Sequence, residues 1–180
     1  MGPEQRAAAV RLLVLDVDGV LTDGRLFFDA NGEALKVFHV RDGHGIKLLR
    51  EAGVEVAILS ARQSPIVERR ARELGVTHVI QGAADKGAGF AALALALGVS
   101  HEQCGYLGDD WPDLAALALA GFAAAVADAA PEVRRIAHWI AGAPGGHGAV
   151  RELAEYILRA QGRFEPLLYR HGGEVVHRDA

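Results

Sequence analysis

With 180 residues, 51% of them hydrophobic, the chain is long enough to bury one proper core and too apolar to be disordered. Nineteen basic against 23 acidic residues leave a net charge of −4, which argues against nucleic acid as a partner. No apolar run approaches the roughly 18 residues of a membrane span, and the first residues lack the layout of a secretory leader, so a cytoplasmic location is expected.

The first predicted element is a strand over 11–16. Leu12-Leu13-Val14-Leu15 runs straight into Asp16-Val17-Asp18-Gly19, and such an aliphatic run reads as a parallel strand buried on both faces. Asp16 and Asp18 are two residues apart, so they start on the same face. Carboxylates at the C-terminal end of a central strand lie where open α/β sheets place their ligands. They repel unless a cation sits between them, a proton is shared or one turns away. An all-oxygen site of this kind suits Mg²⁺, and an aspartate can also attack phosphorus and carry the phosphoryl group. Taken alone, the pair fits a metal-dependent sugar transferase equally well.

A β-hairpin over 25–40 follows, with Asn31-Gly32 as its tight turn. Phe27, Phe28, Val37 and Phe38 exceed what one two-stranded ribbon buries, so they pack either on the parent domain or on a partner's hairpin, and the partner is the favoured expectation. A helix over 43–52 ends at Gly53, and a strand over 54–59 delivers Ser60, Ala61 and Arg62. Ser64 as N-cap and Pro65 at the first position open a helix over 64–74. A short strand over 77–80 precedes Lys86, which begins an alanine- and leucine-rich helix over 86–97. A strand over 104–108 runs into Asp109-Asp110, with Asp113 three residues on. A helix over 111–119, a strand over 122–126, a helix over 131–136, an edge strand over 138–140 and a helix over 148–161 complete the series. This alternation implies an α/β fold, a doubly wound parallel sheet in one domain, 1–162, with a tail over 163–180. Only 41 residues lie between Asp18 and Ser60, and the hairpin and helix use most of them. No cap domain fits there, so the site is expected to be open unless a neighbouring subunit covers it. The one cysteine, Cys104, reads as a buried inert thiol. His44 and His147 lack metal spacing, so zinc is not expected.

Four motifs stand in order: DVDGVLT at 16–22, Ser60 after a strand, Lys86, and GDD at 108–110 with Asp113. As a set they resemble the haloacid dehalogenase-like phosphatases. Three longer segments, at 36–62 (KVFHVRDGHGIKLLREAGVEVAILSAR), 108–114 (GDDWPDL) and 145–162 (GGHGAVRELAEYILRAQG), resemble more narrowly the 3-deoxy-D-manno-octulosonate 8-phosphate phosphatases. The resemblance implies Asp16 as nucleophile and Asp18 as general acid, then base. It implies a Mg²⁺ site made by Asp16, Asp109 and the backbone carbonyl of Asp18, with Ser60 and Lys86 holding phosphate. Arg41 and Arg62, the latter beside Ala61, suit the carboxylate of such a sugar acid. Asp110 and Asp113 are further candidates, a turn or a first-turn helix acid being the plainer role for each. The implied activity is Mg²⁺-dependent hydrolysis of the octulosonate phosphate through an aspartyl-phosphate, in lipopolysaccharide precursor synthesis. The implied enzyme is capless and a homotetramer built around its hairpins. Ser60-Ala61-Arg62 departs from the family's Thr-Gly-Arg. Serine keeps the hydroxyl, whereas alanine restricts the backbone and leaves a nine-carbon sialic-type acid 9-phosphate as the alternative substrate. A phospho-receiver-like regulatory module uses similar residue types, but its acidic pair comes early in the chain and here it comes late.

Overall fold

In the computed structural model, which describes residues 1–172, the aliphatic run forms β1 (Leu12–Leu15) with every side chain at 0% exposure. Each such burial contributes about 1.5–3 kcal/mol. β1 pairs in parallel with β4 (Glu55–Leu59) on one side and β6 (Cys104–Gly108) on the other, so Leu15 faces Ile58 and Leu107. β5 (His78–Ile80) extends the sheet beyond β4, and β7 (Phe122–Ala125) and β8 (Trp139–Ile140) extend it beyond β6, all in parallel. The chain therefore builds one flank of β1 first and then the other. That reversal opens a crevice at the C-terminal ends of β1, β4 and β6.

Helices cover both faces. α1 (Pro3–Ala8), α2 (Val40–Glu51) and α7 (Ala149–Ala160) pack together, and α3 (Pro65–Leu74) touches α2. α4 (Lys86–Leu97), α5 (Leu114–Leu119) and α6 (Pro131–Ile136) form the second group. Among the described residues no helix is long and apolar enough to cross a membrane.

Several boundaries differ from the sequence reading for identifiable reasons. α1 was not expected, since Ala7 is its single buried residue; Arg6 ties it down by donating to the Gly121 carbonyl at 2.7 Å. α2 starts at Val40 rather than 43, with Gly43 and Gly45 inside it. These glycines are contact surface: a Cβ on Gly45 would lie 3.1 Å from Arg151 Cα of α7. Buried Asp42 completes that joint by accepting from the Gly148 and Arg151 amides at 3.2 and 2.9 Å, at the start of α7. The expected helix over 111–119 divides into a 3-10 turn, Trp111–Asp113, and α5.

The hairpin ladder is shorter than 25–40. β2 (Phe27–Asp29) pairs antiparallel with β3 (Gly32–Leu35) around a turn in which Gly32 has φ +120°. After Leu35 the chain drops onto its own domain. Phe38 packs against the core with the Arg70 guanidinium 5.7 Å above its ring, and Phe27 is half-buried. Phe28, Val37 and Val40 remain 61%, 54% and 82% exposed. At the other end α8 (Phe164–Arg170) docks through buried Leu167, and the rest of the expected tail, 173–180, lies outside the described residues.

Candidate active site

Asp16 continues the pairing of β1 one residue further, its amide donating to the Leu107 carbonyl at 3.1 Å. Its carboxylate thus emerges at the strand end and is only 5% exposed. Lys86, the first residue of α4, reaches the same point from across the crevice. Its Nζ lies 2.7 Å from Asp16 Oδ1 and 2.5 Å from Asp113 Oδ1. Asp109 follows β6 directly. Gly19, at φ +94°, lets the loop after β1 pass beside it, where a Cβ would sit 2.1 Å from Asp109 Oδ2.

Asp113 is the hub of this cluster. It is 1% exposed, and its Oδ1 also accepts from the Tyr106 hydroxyl at 2.6 Å. Its Oδ2 accepts from the backbone amides of Asp109 and Asp110 at 2.9 and 3.3 Å. These four donors occupy Asp113, whereas Asp16 and Asp109 keep lone pairs free.

Carboxylate oxygens of Asp16, Asp109 and Asp113 fall within 4.8 Å of one another. One lysine does not balance them. Burial, then the charge of Asp113, raises the Asp16 carboxyl to about 6 against the pull of Lys86. Burial, then Asp16 and Asp113, raises Asp109 to about 8. Burial alone would lower the Lys86 ammonium, but the two carboxylates beside it outweigh that and raise it. A surplus of negative charge on an all-oxygen donor set fits a divalent cation such as Mg²⁺, and Asp16 and Asp109 are the residues free to hold it.

The cluster floors an open hollow of about 170 Å³, lined also by Asp18, Ser60, Arg62, Ala61 and Asp110. Larger grooves, of about 1010 and 680 Å³, run along α3, but they hold none of the clustered carboxylates. Convergent charge, not size, marks the site. Ser60 is buried and its Oγ accepts from the Arg62 amide at 3.2 Å. The Arg62 side chain is partly exposed, with Nε 3.8 Å from Asp18 Oδ2 and its guanidinium 5.9 Å from the Phe28 ring centroid. Arg41 is exposed on the first turn of α2 and does not line the hollow. The Asp18 side chain stands apart from the carboxylate cluster and is engaged by Lys36 and Arg62.

Four participants were not read from the sequence. Tyr106 carried a signal, since a tyrosine inside a buried strand needs a partner for its hydroxyl. Lys36, Glu33 and Ser64 carried none. Ser64 holds the N-cap position of α3 as expected, but its hydroxyl donates to Glu33 instead of capping the helix.

The haloacid dehalogenase-like hydrolase profile matches residues 34–121. The 3-deoxy-D-manno-octulosonate 8-phosphate phosphatase of Haemophilus influenzae is 46% identical over 160 residues, 89% of each chain. The corresponding phosphatase of Moraxella catarrhalis, solved with magnesium, phosphate and KDO, superposes with a TM-score of 0.91 at 40% identity, over 94% of this chain and 97% of that one. A probable YrbI-family phosphatase of Pseudomonas syringae gives 0.92 at 48% identity, over 96% and 98% of the two chains.

Proposed function

The chain belongs to the 3-deoxy-D-manno-octulosonate 8-phosphate phosphatases of the haloacid dehalogenase-like hydrolases, and from that premise we propose that it hydrolyses this sugar-acid phosphate to the free acid and phosphate. The reaction would serve lipopolysaccharide precursor synthesis in the cytoplasm. The observation that carries the reading is Lys86 Nζ at 2.7 Å from Asp16 Oδ1, beside Asp109, on the floor of an open hollow. It supports a nucleophile, a phosphate holder and a metal ligand in mutual reach.

In this reading an Asp16 oxygen attacks phosphorus and the bond to the sugar oxygen breaks, leaving an aspartyl-phosphate on Asp16. Asp18 gives its proton to the departing sugar oxygen, then takes one from the water that releases phosphate. Lys86 and the Ser60 hydroxyl hold the phosphoryl oxygens. Mg²⁺, held by Asp16, Asp109 and the backbone carbonyl of Asp18, would neutralise charge between the carboxylates and the phosphate dianion. Asp110 would act on that ion only through water, and Asp113 would fix Lys86 and the loop that carries Asp109. Arg62, beside Ala61, is the basic side chain at the mouth suited to the substrate carboxylate; Arg41 would contribute from outside the hollow. Residues 1–162 would form the catalytic unit. The exposed Phe28, Val37 and Val40 support assembly of four copies through their hairpins.

The test is phosphate release with Mg²⁺ from a panel of the octulosonate 8-phosphate, a nine-carbon acid 9-phosphate and neutral sugar phosphates. The octulosonate is expected to give the highest kcat/KM, and chelator to abolish release. A clear preference for the nine-carbon acid overturns the substrate assignment.

A further inference from the structure

Lys36 lies on the short segment joining β3 to α2, on what the sequence presents as a surface ribbon. Its side chain is nevertheless 1% exposed. The ammonium contacts Asp18 Oδ1 and lies 2.9 Å from Glu33 Oε1. Glu33 takes the Ser64 hydroxyl on its other oxygen, and the Ser64 amide donates to Gln81 Oε1 at 2.8 Å. A continuous polar chain therefore runs from Asp18 through the hairpin to the start of α3. Burying an ammonium is costly unless it is paired, and a well-packed apolar side chain holds a ribbon down at least as well. A buried lysine touching the carboxylate of Asp18 calls for a reason beyond packing.

We propose that Lys36 is a positioning residue for the reaction: by holding Oδ1 of Asp18, it leaves Oδ2, on the Arg62 side, as the oxygen that serves the departing sugar oxygen. This rests on the reading of Asp18 as the acid that protonates the leaving group. In that step the Asp16 oxygen–phosphorus bond forms, the phosphorus–sugar oxygen bond breaks, and the proton passes from Asp18 Oδ2 to the sugar oxygen. Lys36 stays an ammonium throughout and touches no reacting atom. The hairpin then tunes the site of its own chain, since Lys36 and Glu33 both belong to it.

Leaving-group dependence separates positioning from simple support. A sugar alkoxide cannot depart without a proton, whereas p-nitrophenolate can. The ratio kcat/KM reports events up to leaving-group departure, so the later hydrolysis of the aspartyl-phosphate does not mask the effect. Lys36→Met, which keeps length and removes charge, is expected to lower kcat/KM for the sugar-acid phosphate about tenfold or more beyond its effect on p-nitrophenyl phosphate, a fraction of the roughly 10²–10⁴ a general acid supplies. Asp18→Asn is expected to show the same selectivity, and Lys36→Met added to it to lower sugar-phosphate turnover no further. Should Lys36→Met fail to fold, Glu33→Gln carries the test, with selectivity of the same sign and smaller size. Selectivity in Asp18→Asn without it in the Lys36 or Glu33 variant overturns the proposal alone. Equal losses on both substrates in Asp18→Asn overturn the acid role, and the proposal with it. If the wild-type protein ignores the octulosonate phosphate, the substrate reading fails separately, and the same ratio is measured with ribose 5-phosphate as the alkyl substrate.

Discussion

Without a divalent cation, this protein is expected to lose stability as the pH rises from acidic to mildly alkaline. The Asp16 carboxyl stands at about 6 and that of Asp109 at about 8, against an ordinary 3.8, because both are buried and share a corner with Asp113. A carboxyl raised on folding favours the folded state while it is protonated. That contribution is fully present below the unfolded pKa and lost as the pH rises through the folded one, here over about pH 4 to 8. The shift at Asp16 alone corresponds to about 3 kcal/mol at 1.36 kcal/mol per unit. Asp109 acts in the same direction, but not additively, since each carboxyl raises the other. At about 2–4 °C per kcal/mol for a chain of this size, Asp16 alone moves the melting midpoint by about 6–12 °C. A bound cation replaces the protons, so the assay is thermal unfolding with chelator or with excess Mg²⁺ from about pH 5 to about pH 9. The chelated midpoint is expected to fall with pH, the Mg²⁺ midpoint to stay level, and the gap to widen. Asp109→Asn is expected to flatten the chelated profile, raise its midpoint near pH 8 and remove the response to Mg²⁺. A chelated profile that is level or climbs refutes the account of a charge-crowded cation site.

Three further outcomes follow from the same geometry. Asp16→Asn keeps shape and removes the nucleophile, so phosphate release is expected to vanish while the circular dichroism spectrum stays unchanged; substantial turnover excludes the aspartyl-phosphate. Asp113→Ala takes from Lys86 one of its two carboxylates and leaves the Tyr106 hydroxyl and two backbone amides without their acceptor, and is expected to cost about 3–5 kcal/mol by urea unfolding near pH 5, where relief of repulsion is smallest; a loss under about 1 kcal/mol contradicts its role as hub. If four copies assemble through their hairpins, as proposed, Phe28→Asp with Val40→Asp is expected to shift sedimentation to smaller species, and an unchanged sedimentation profile removes the hairpins from the interface.

The legible part of this molecule was its periodic and local part. The uninterrupted aliphatic stretch before Asp16 announced a central strand, and Asp16, Ser60, Lys86 and Asp109 each sit one residue past a strand or at a helix start, so sequence order alone brings them to one crevice. Asp113 was ambiguous because a first-turn acid has a sufficient local role; its four donors come from the start of α4 and from β6 with the loop that follows it, and only folding brings Lys86 to the others. The helix that carries Gly43 and Gly45 was read to begin at 43 instead of Val40, and the value of these glycines, the approach of α7 a hundred residues away, left no local trace. Lys36 was invisible for a related reason: nothing in a hairpin arm distinguishes a lysine that faces solvent from one that bends under the ribbon onto Asp18.

The grip of Asp113 on the amides of Asp109 and Asp110 also bears on motion. Loop amides ordinarily exchange their hydrogens with water quickly, because nothing intramolecular holds them. Here two consecutive loop amides are bonded to a carboxylate that is itself pinned by a buried lysine and a buried tyrosine, so their exchange is tied to the opening of the β6 end of the core. The exposed tip of the ribbon of β2 and β3, residues 28–31, has no such anchorage, and its amides are expected to exchange faster. Hydrogen exchange is therefore expected to separate a slow floor, where the atoms that must meet phosphorus are held, from a fast ribbon tip.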